Sequence, residues 1–363
     1  MRLAVILALG TALYVAPMMV AGQQDAAAQN TASAYKAPRT GFGQPDLSGT
    51  WSNSTLTPMT RPASFKDRLA HTEDEVKKLE AAVVKEVEEG NAPTDPDAPA
   101  EYRNPTTNER PEFRAAGGAV GGYNRGWLDP GNLVMRVNGE PRTSLITTPD
   151  GRPPARKANA PRAPAALGGS GGEGAGPLGS FDSYETRSLG ERCVIGFGRN
   201  AGPPMFPNGF YNNNYQIVQS PDAVMIQVEM NHDARIVRLN SKHNAGVARP
   251  YFGDSIGRWE GDTLVVETIN IPRSQAFMGS WENLKVTERF TRVGAERLHY
   301  KFTVEDSAMW EQPWGGEYEF APLNGRIYEY ACHEGNYALP GILSGARVEE
   351  AAKARKSGAK PGR

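Results

Sequence analysis

The chain has 363 residues, 39% of them apolar and 22% charged, with 40 glycines and 28 prolines. Basic and acidic residues nearly cancel, 40 against 41, which leaves no overall field to attract a polyanion. This composition excludes a fully disordered chain and a dedicated nucleic-acid binder, and it leaves open either two domains or one β-rich domain with long loops and tails.

Arg2 precedes an apolar run that Gly10 and Pro17 interrupt and that ends at Gln23, Gln24 and Asp25. The layout predicts a secretory signal peptide over 1–22, cleaved after Gly22 or after Ala28, rather than a permanent span. No later segment approaches the roughly 18 consecutive apolar residues that a membrane helix needs. The mature protein is therefore expected in the periplasm or outside the cell. In such an oxidising compartment the only two cysteines, Cys193 and Cys332, are expected to form one disulfide. Two separate buried thiols are the alternative.

Residues 23–45, rich in Ala, Gln, Thr and Ser, read as a disordered leader. Asp46-Leu47-Ser48-Gly49-Thr50-Trp51 is a turn into a first strand. A helix is predicted over 72–90: Thr72 and Glu75 make a capping box, Val76, Leu79, Val83 and Val87 give an apolar stripe, and Gly90 sits at the stop. Residues 91–114 are a Pro- and Arg-rich connection, and 151–180 a low-complexity insertion with little to bury.

From about 211 onward strand patterns recur at short intervals. Turns are predicted at Ser220-Pro221-Asp222, Gly261-Asp262, 294–296 and Asn324-Gly325. With the 49–51 strand in front, about nine later strands predict an all-β domain over 46–346. The expected fold is an antiparallel meander closing into an up-and-down barrel, with a two-sheet sandwich as the alternative. Residues 347–363 read as a basic tail.

The strings DLSGTW, ERC, YNNNYQIVQ, EMNHDARIVRL, GDSIGRWEGDTLVVET, VTERFTRV and YEYACHEGNY together resemble a family of secreted bacterial proteins with no assigned activity. The resemblance spans roughly 46–347 outside the Gly/Pro insertion and implies no reaction. The Gly-x-Trp of the first strand is similar to the opening of a lipocalin-type barrel, which implies a lipocalin-like fold.

Candidate chemistry is sparse. His71 at the foot of the helix and His299 on a polar strand face read as surface groups, while His232-Asp233 and His333-Glu334 fall at strand ends, where rigid elements present side chains. His243 remains as a third candidate. No His or Cys spacing of a metal site occurs, so neither a metal nor a cofactor is expected. The carboxylates say more. Pairing Val293 with Arg297 across a three-residue turn sets Glu288 opposite Phe302, with Glu288 among the inward residues Val286, Phe290, Tyr300 and Phe302.

Such an acid is either a general acid or base with a raised pKa, or half of an interior ion pair with Arg258 or Arg235. The sequence thus points to a barrel binding a small, mostly apolar molecule. Phe290, Tyr300, Phe302 and Arg258 would contact it, and Glu288, His232, Asp233, His333 and Glu334 would supply polar groups near the mouth. The alternative is a lyase, isomerase or hydrolase using an interior carboxylate and a histidine.

Overall fold

The computed structural model describes residues 35–90, 129–161, 181–196, 200–209, 211–244, 246 and 248–357. The signal-peptide segment, the 91–114 connection and residues 162–180 lie outside them. In chain order the strands are β1 Gly49–Ser52, β2 Arg136–Val137, β3 Glu140–Pro141, β4 Asn214–Gln219, β5 Ala223–Val228 and β6 Ala234–Leu239. They continue with β7 Asp254–Glu260, β8 Thr263–Ile269, β9 Lys285–Gly294, β10 Arg297–Glu305 and β11 Trp314–Pro322. Among the described residues, helix α1 Glu73–Gly90 lies between β1 and β2, and α2 Ala338–Ser357 follows β11.

Nine strands close into a barrel in the order β1-β11-β10-β9-β8-β7-β6-β5-β4, with β4 returning to β1, while β2 and β3 form a separate ribbon. Closure leaves no sheet edge, which settles barrel against sandwich. A ring with an odd number of strands cannot be antiparallel throughout. The necessary exception is β6 with β7, where Arg238 faces Ile256 and Leu239 faces Gly257 in parallel register. The chain crosses over between Leu239 and Asp254. His243 pins the crossover between Asp254 (3.1 Å) and Glu267 (3.2 Å), and Asp254 also accepts from Arg238 (2.6 Å) and the Asn244 amide (2.7 Å).

Alternation along the strands fills the interior with Tyr215, Ile226, Val237, Val266, Phe290, Tyr300, Phe302, Tyr318 and Phe320, all nearly inaccessible. Tyr300 packs 4.8 Å from Tyr318 and 5.0 Å from Phe290 by ring centroids. Each such burial is worth about 1.5–3 kcal/mol. Glu288 stands opposite Phe302 as the alternation requires, but the turn is tighter than expected. Gly294 pairs with Arg297, and an irregularity before Leu298 restores the register.

Four expectations are corrected. Eight barrel strands follow β1 rather than about nine, because residues 326–330 form none. The free edge of β11 is already taken by β1, through Trp51 with Pro322 and Ser52 with Ala321, so the Asn324-Gly325 turn has no strand to return to. The basic segment is helical as far as Ser357, since α2 runs through the boundary drawn at 346.

The leader is structured from residue 35, where Ala37 is buried and the Asp46 amide donates to the Pro38 carbonyl. The insertion is structured through 161. Its Gly151 carbonyl accepts from the Arg61 amide, and a Cβ there would lie 2.5 Å from the Arg61 Cβ at φ +66°, a site for glycine alone.

The capping box forms as predicted: the Thr72 amide donates to Glu75 Oε2 (2.8 Å) and the Glu75 amide to Thr72 Oγ1 (3.3 Å). Only half of the helix stripe is covered, Val76 and Val83 being buried and Leu79 and Val87 exposed. Beside β1 and β11 the segments 55–71 and 129–151 build a second layer. Leu145 and Ile146 donate to Pro58 and Met59, and the Leu145 carbonyl accepts from the Glu317 amide of β11. That close approach requires Gly316, whose Cβ would sit 2.3 Å from the Leu145 oxygen.

Candidate functional site

The barrel centre holds one continuous polar network. Arg235 grips both oxygens of Glu288, with Nη1 on Oε2 and Nη2 on Oε1 (2.9 Å), and Tyr300 donates to Oε1 (2.7 Å). Burial opposes the Arg235 charge, but the Glu288 carboxylate more than offsets it and raises the guanidinium pKa. Of the two roles open to Glu288 in the sequence, the geometry is that of the ion pair, and Arg235 is its partner. Arg258 is not: its side chain is 56% exposed and bound to Glu260. The reason is Gly257, which takes the inward place beside Val237 and Leu239 and turns Arg258 outward.

Phe290, Tyr300 and Phe302 do face inward, but the space before them is occupied. Residues 200–208, Asn-Ala-Gly-Pro-Pro-Met-Phe-Pro-Asn, run into the barrel, and Met205 and Phe206 are buried there. The Met205 amide donates to the Tyr300 hydroxyl (2.9 Å), and the Tyr318 hydroxyl donates to the Met205 carbonyl (3.1 Å). Phe206 packs 5.0 Å from Phe302.

Asn53 bonds Tyr215 and Tyr318, and Tyr215 bonds the Asn200 carbonyl. Burial pushes all three phenols up in pKa, so they act as neutral hydrogen-bonding groups. Asn213 fastens the plug, accepting from the Asn208 amide (2.6 Å) and donating to its carbonyl (2.8 Å). The Asn212–Asn214 triplet, which reads as turn chemistry, is thus in part an anchor for the plug.

Open space lies beside the barrel. A cavity of about 410 Å³, partly open to solvent, is lined by 55–59, Pro62, Phe65, His71, Leu79, Val134, Thr143, Leu145 and 207–209. Its wall is mostly apolar. The threonine hydroxyls in it are spent: Thr57 Oγ1 donates to the Arg142 carbonyl, Thr55 Oγ1 to Leu133, and Thr143 Oγ1 to Arg68 and Leu69. His71 is not the surface residue that its place at the helix foot predicts, its side chain being 5% exposed and packed edge-on against Phe65 at 4.8 Å. Burial lowers its pKa, and Arg68 works in the same direction against Glu75.

The strand-end pairs lie elsewhere. His232 and Asp233 follow the turn after β5, where Asn231 and His232 both adopt positive φ. Exposed His232 accepts the Tyr330 amide at Nε2 (3.2 Å), and Cys193 is bonded to Cys332 with the Cα atoms 5.6 Å apart. The disulfide pairing predicted from the sequence is therefore present. His333 and Glu334 are exposed next to it, and no hydrogen bond among the described residues joins the two imidazoles.

Asp233 is half-buried, and desolvation raises its pKa to about 6 against the hydrogen bonds from Gly196 and Asn231. None of these four residues lines the cavity. Among the described residues no cluster of three or more His, Cys, Asp or Glu side chains is arranged to hold a metal, and no helix is long and apolar enough to cross a membrane.

Fold and site together define a closed nine-strand β-barrel, filled by its own chain, with a cavity in an annexed layer. No family model matches the chain, and no curated protein does. Among solved structures it is similar to a mutant of the fluorescent protein UnaG, with 12% identity over 31% of this chain and 72% of that one and a TM-score of 0.20. That likeness is too slight to carry an argument.

Proposed function

We propose that this protein binds a small, mostly apolar molecule, and that it does so in the cavity beside the barrel rather than at the barrel centre. The observation that carries the reading is the contrast between a plugged interior and an apolar-walled space of about 410 Å³, within the range of small-ligand pockets. Leu56, Pro58, Met59, Phe65, Leu79, Val134 and Leu145 give the ligand its apolar surroundings. Glu288 serves the fold, since both of its oxygens are bound and Met205 lies over its partner Tyr300. Catalysis by that carboxylate is not favoured.

In this reading the barrel is lipocalin-like in role while departing from the eight-strand antiparallel plan in strand number and in its one parallel pair. The disulfide and the signal-like N-terminus support an oxidising compartment outside the cytoplasm. The test is titration with the neutral apolar fluorophore N-phenyl-1-naphthylamine. Wild type should enhance and blue-shift its emission saturably. Leu79→Trp, which adds bulk at the cavity wall from an exposed helix position, should lose the effect while unfolding normally. Equal saturation in both proteins would move the site away from the cavity.

A further inference from the structure

The polar groups of the cavity wall specify what the ligand must offer. The three threonine hydroxyls already serve backbone partners, as described above, and Asn208 is engaged through its backbone with Asn213. His71 differs. Its Nδ1 is sealed from solvent with no hydrogen bond, 3.7 Å from Glu75 Oε2, and no described group bonds its Nε2.

The Glu75 carboxylate is itself held by both terminal nitrogens of Arg68 (2.6 and 2.7 Å) and by the Thr72 amide, with Oε2 toward the ring. A carboxylate facing Nδ1 favours the tautomer with the proton on Nδ1, and in a neutral imidazole the other nitrogen is then a bare acceptor. Burial of the ring keeps it neutral. A purely apolar ligand would displace water from that lone pair and leave it unsatisfied, which is costly.

We propose that the ligand is a neutral hydroxylated apolar compound, a phenol or an alcohol on a hydrocarbon skeleton, whose O–H donates to His71 Nε2. The proposal rests on the cavity being the binding site, and its test separates the two. The full-length protein is titrated calorimetrically with three probes of one size: 1-naphthol, 1-methoxynaphthalene and 1-naphthoate. 1-Naphthol should bind at least about fivefold more tightly than the methyl ether, roughly the worth of one neutral hydrogen bond, and naphthoate, which has no proton to donate, should bind no better than the ether.

His71→Phe keeps a ring against Phe65 and should abolish the preference for naphthol while still binding the ether. His71→Gln, which retains an acceptor, should keep part of the preference. Equal affinity of wild type for naphthol and the ether would overturn the donor inference and leave the cavity standing, as would tightest binding of naphthoate. Binding of none of the three would overturn both. If His71→Phe does not fold, the probe series on wild type and His71→Gln still decides the matter.

Discussion

Replacing Glu288 by Gln tests whether the carboxylate at the barrel centre is structural. The substitution is nearly isosteric and leaves an acceptor for Tyr300, but it removes the charge that Arg235 faces. Arg235 and Glu288 side chains are 3% and 0% exposed, so solvent cannot take over the compensation. Stranding a buried cation in this way costs about 3–5 kcal/mol, a large share of the roughly 5–15 kcal/mol that holds a typical domain together.

Arg235→Met in the same chain removes the stranded charge. The double variant should therefore be more stable than Glu288→Gln alone, giving a coupling energy of at least about 2 kcal/mol in a double-mutant cycle. Urea unfolding followed by tryptophan fluorescence measures all four proteins. A cost below about 1 kcal/mol for Glu288→Gln, with no coupling, would refute the ion pair and return Glu288 to the status of a neutral interior acid.

Two further outcomes are expected. Thiol titration of the denatured, non-reduced protein should find no free cysteine, and replacing both Cys193 and Cys332 by Ala should cost up to about 5 kcal/mol, since the bond closes a loop of 139 residues. Asp233, raised to about 6 in the fold from an ordinary value near 3.9, binds its proton more tightly folded than unfolded. Its contribution to stability is full below pH 4 and is lost as pH rises to about 6. The difference in urea midpoint between wild type and Asp233→Asn should shift against wild type across that window, and a difference independent of pH would show that Asp233 titrates normally.

The barrel was legible in the sequence because side-chain alternation is strict. Once Val286, Glu288 and Phe290 share a face with Tyr300 and Phe302, the interior position of Glu288 follows. Thr72 and Glu75 marked the helix start because capping is a local interaction. Alternation, however, is blind to strand direction and to whether an edge is free. It therefore gave no sign of the parallel β6–β7 pair and turned residues 326–330 into a strand that β1 had already displaced.

The plug was illegible because Pro203, Pro204 and Pro207 look like a linker, and only the adjacent pair Met205-Phe206 hints at burial. His71 was misplaced for a related reason. The helix that begins beside it is acidic, and what covers it is Phe65, brought over the helix foot by the turn at 63–66. Of the residues expected at a site, Phe290, Tyr300, Phe302 and Glu288 lie at a filled centre and His232, Asp233, His333 and Glu334 lie outside the cavity, whose wall comes mostly from loop segments with no periodic signal, Leu79 of α1 excepted.

The most direct test of ligand binding beside the barrel is methyl and amide chemical-shift mapping by NMR as 1-naphthol is added to the full-length protein. Saturable shifts should concentrate on Met59, Leu79, Val134 and Leu145, with the barrel-centre methyls of Ile226, Val237 and Val266 unmoved. Shifts centred on Ile226, Val237 and Val266, or none at millimolar probe, would contradict a cavity-bound ligand.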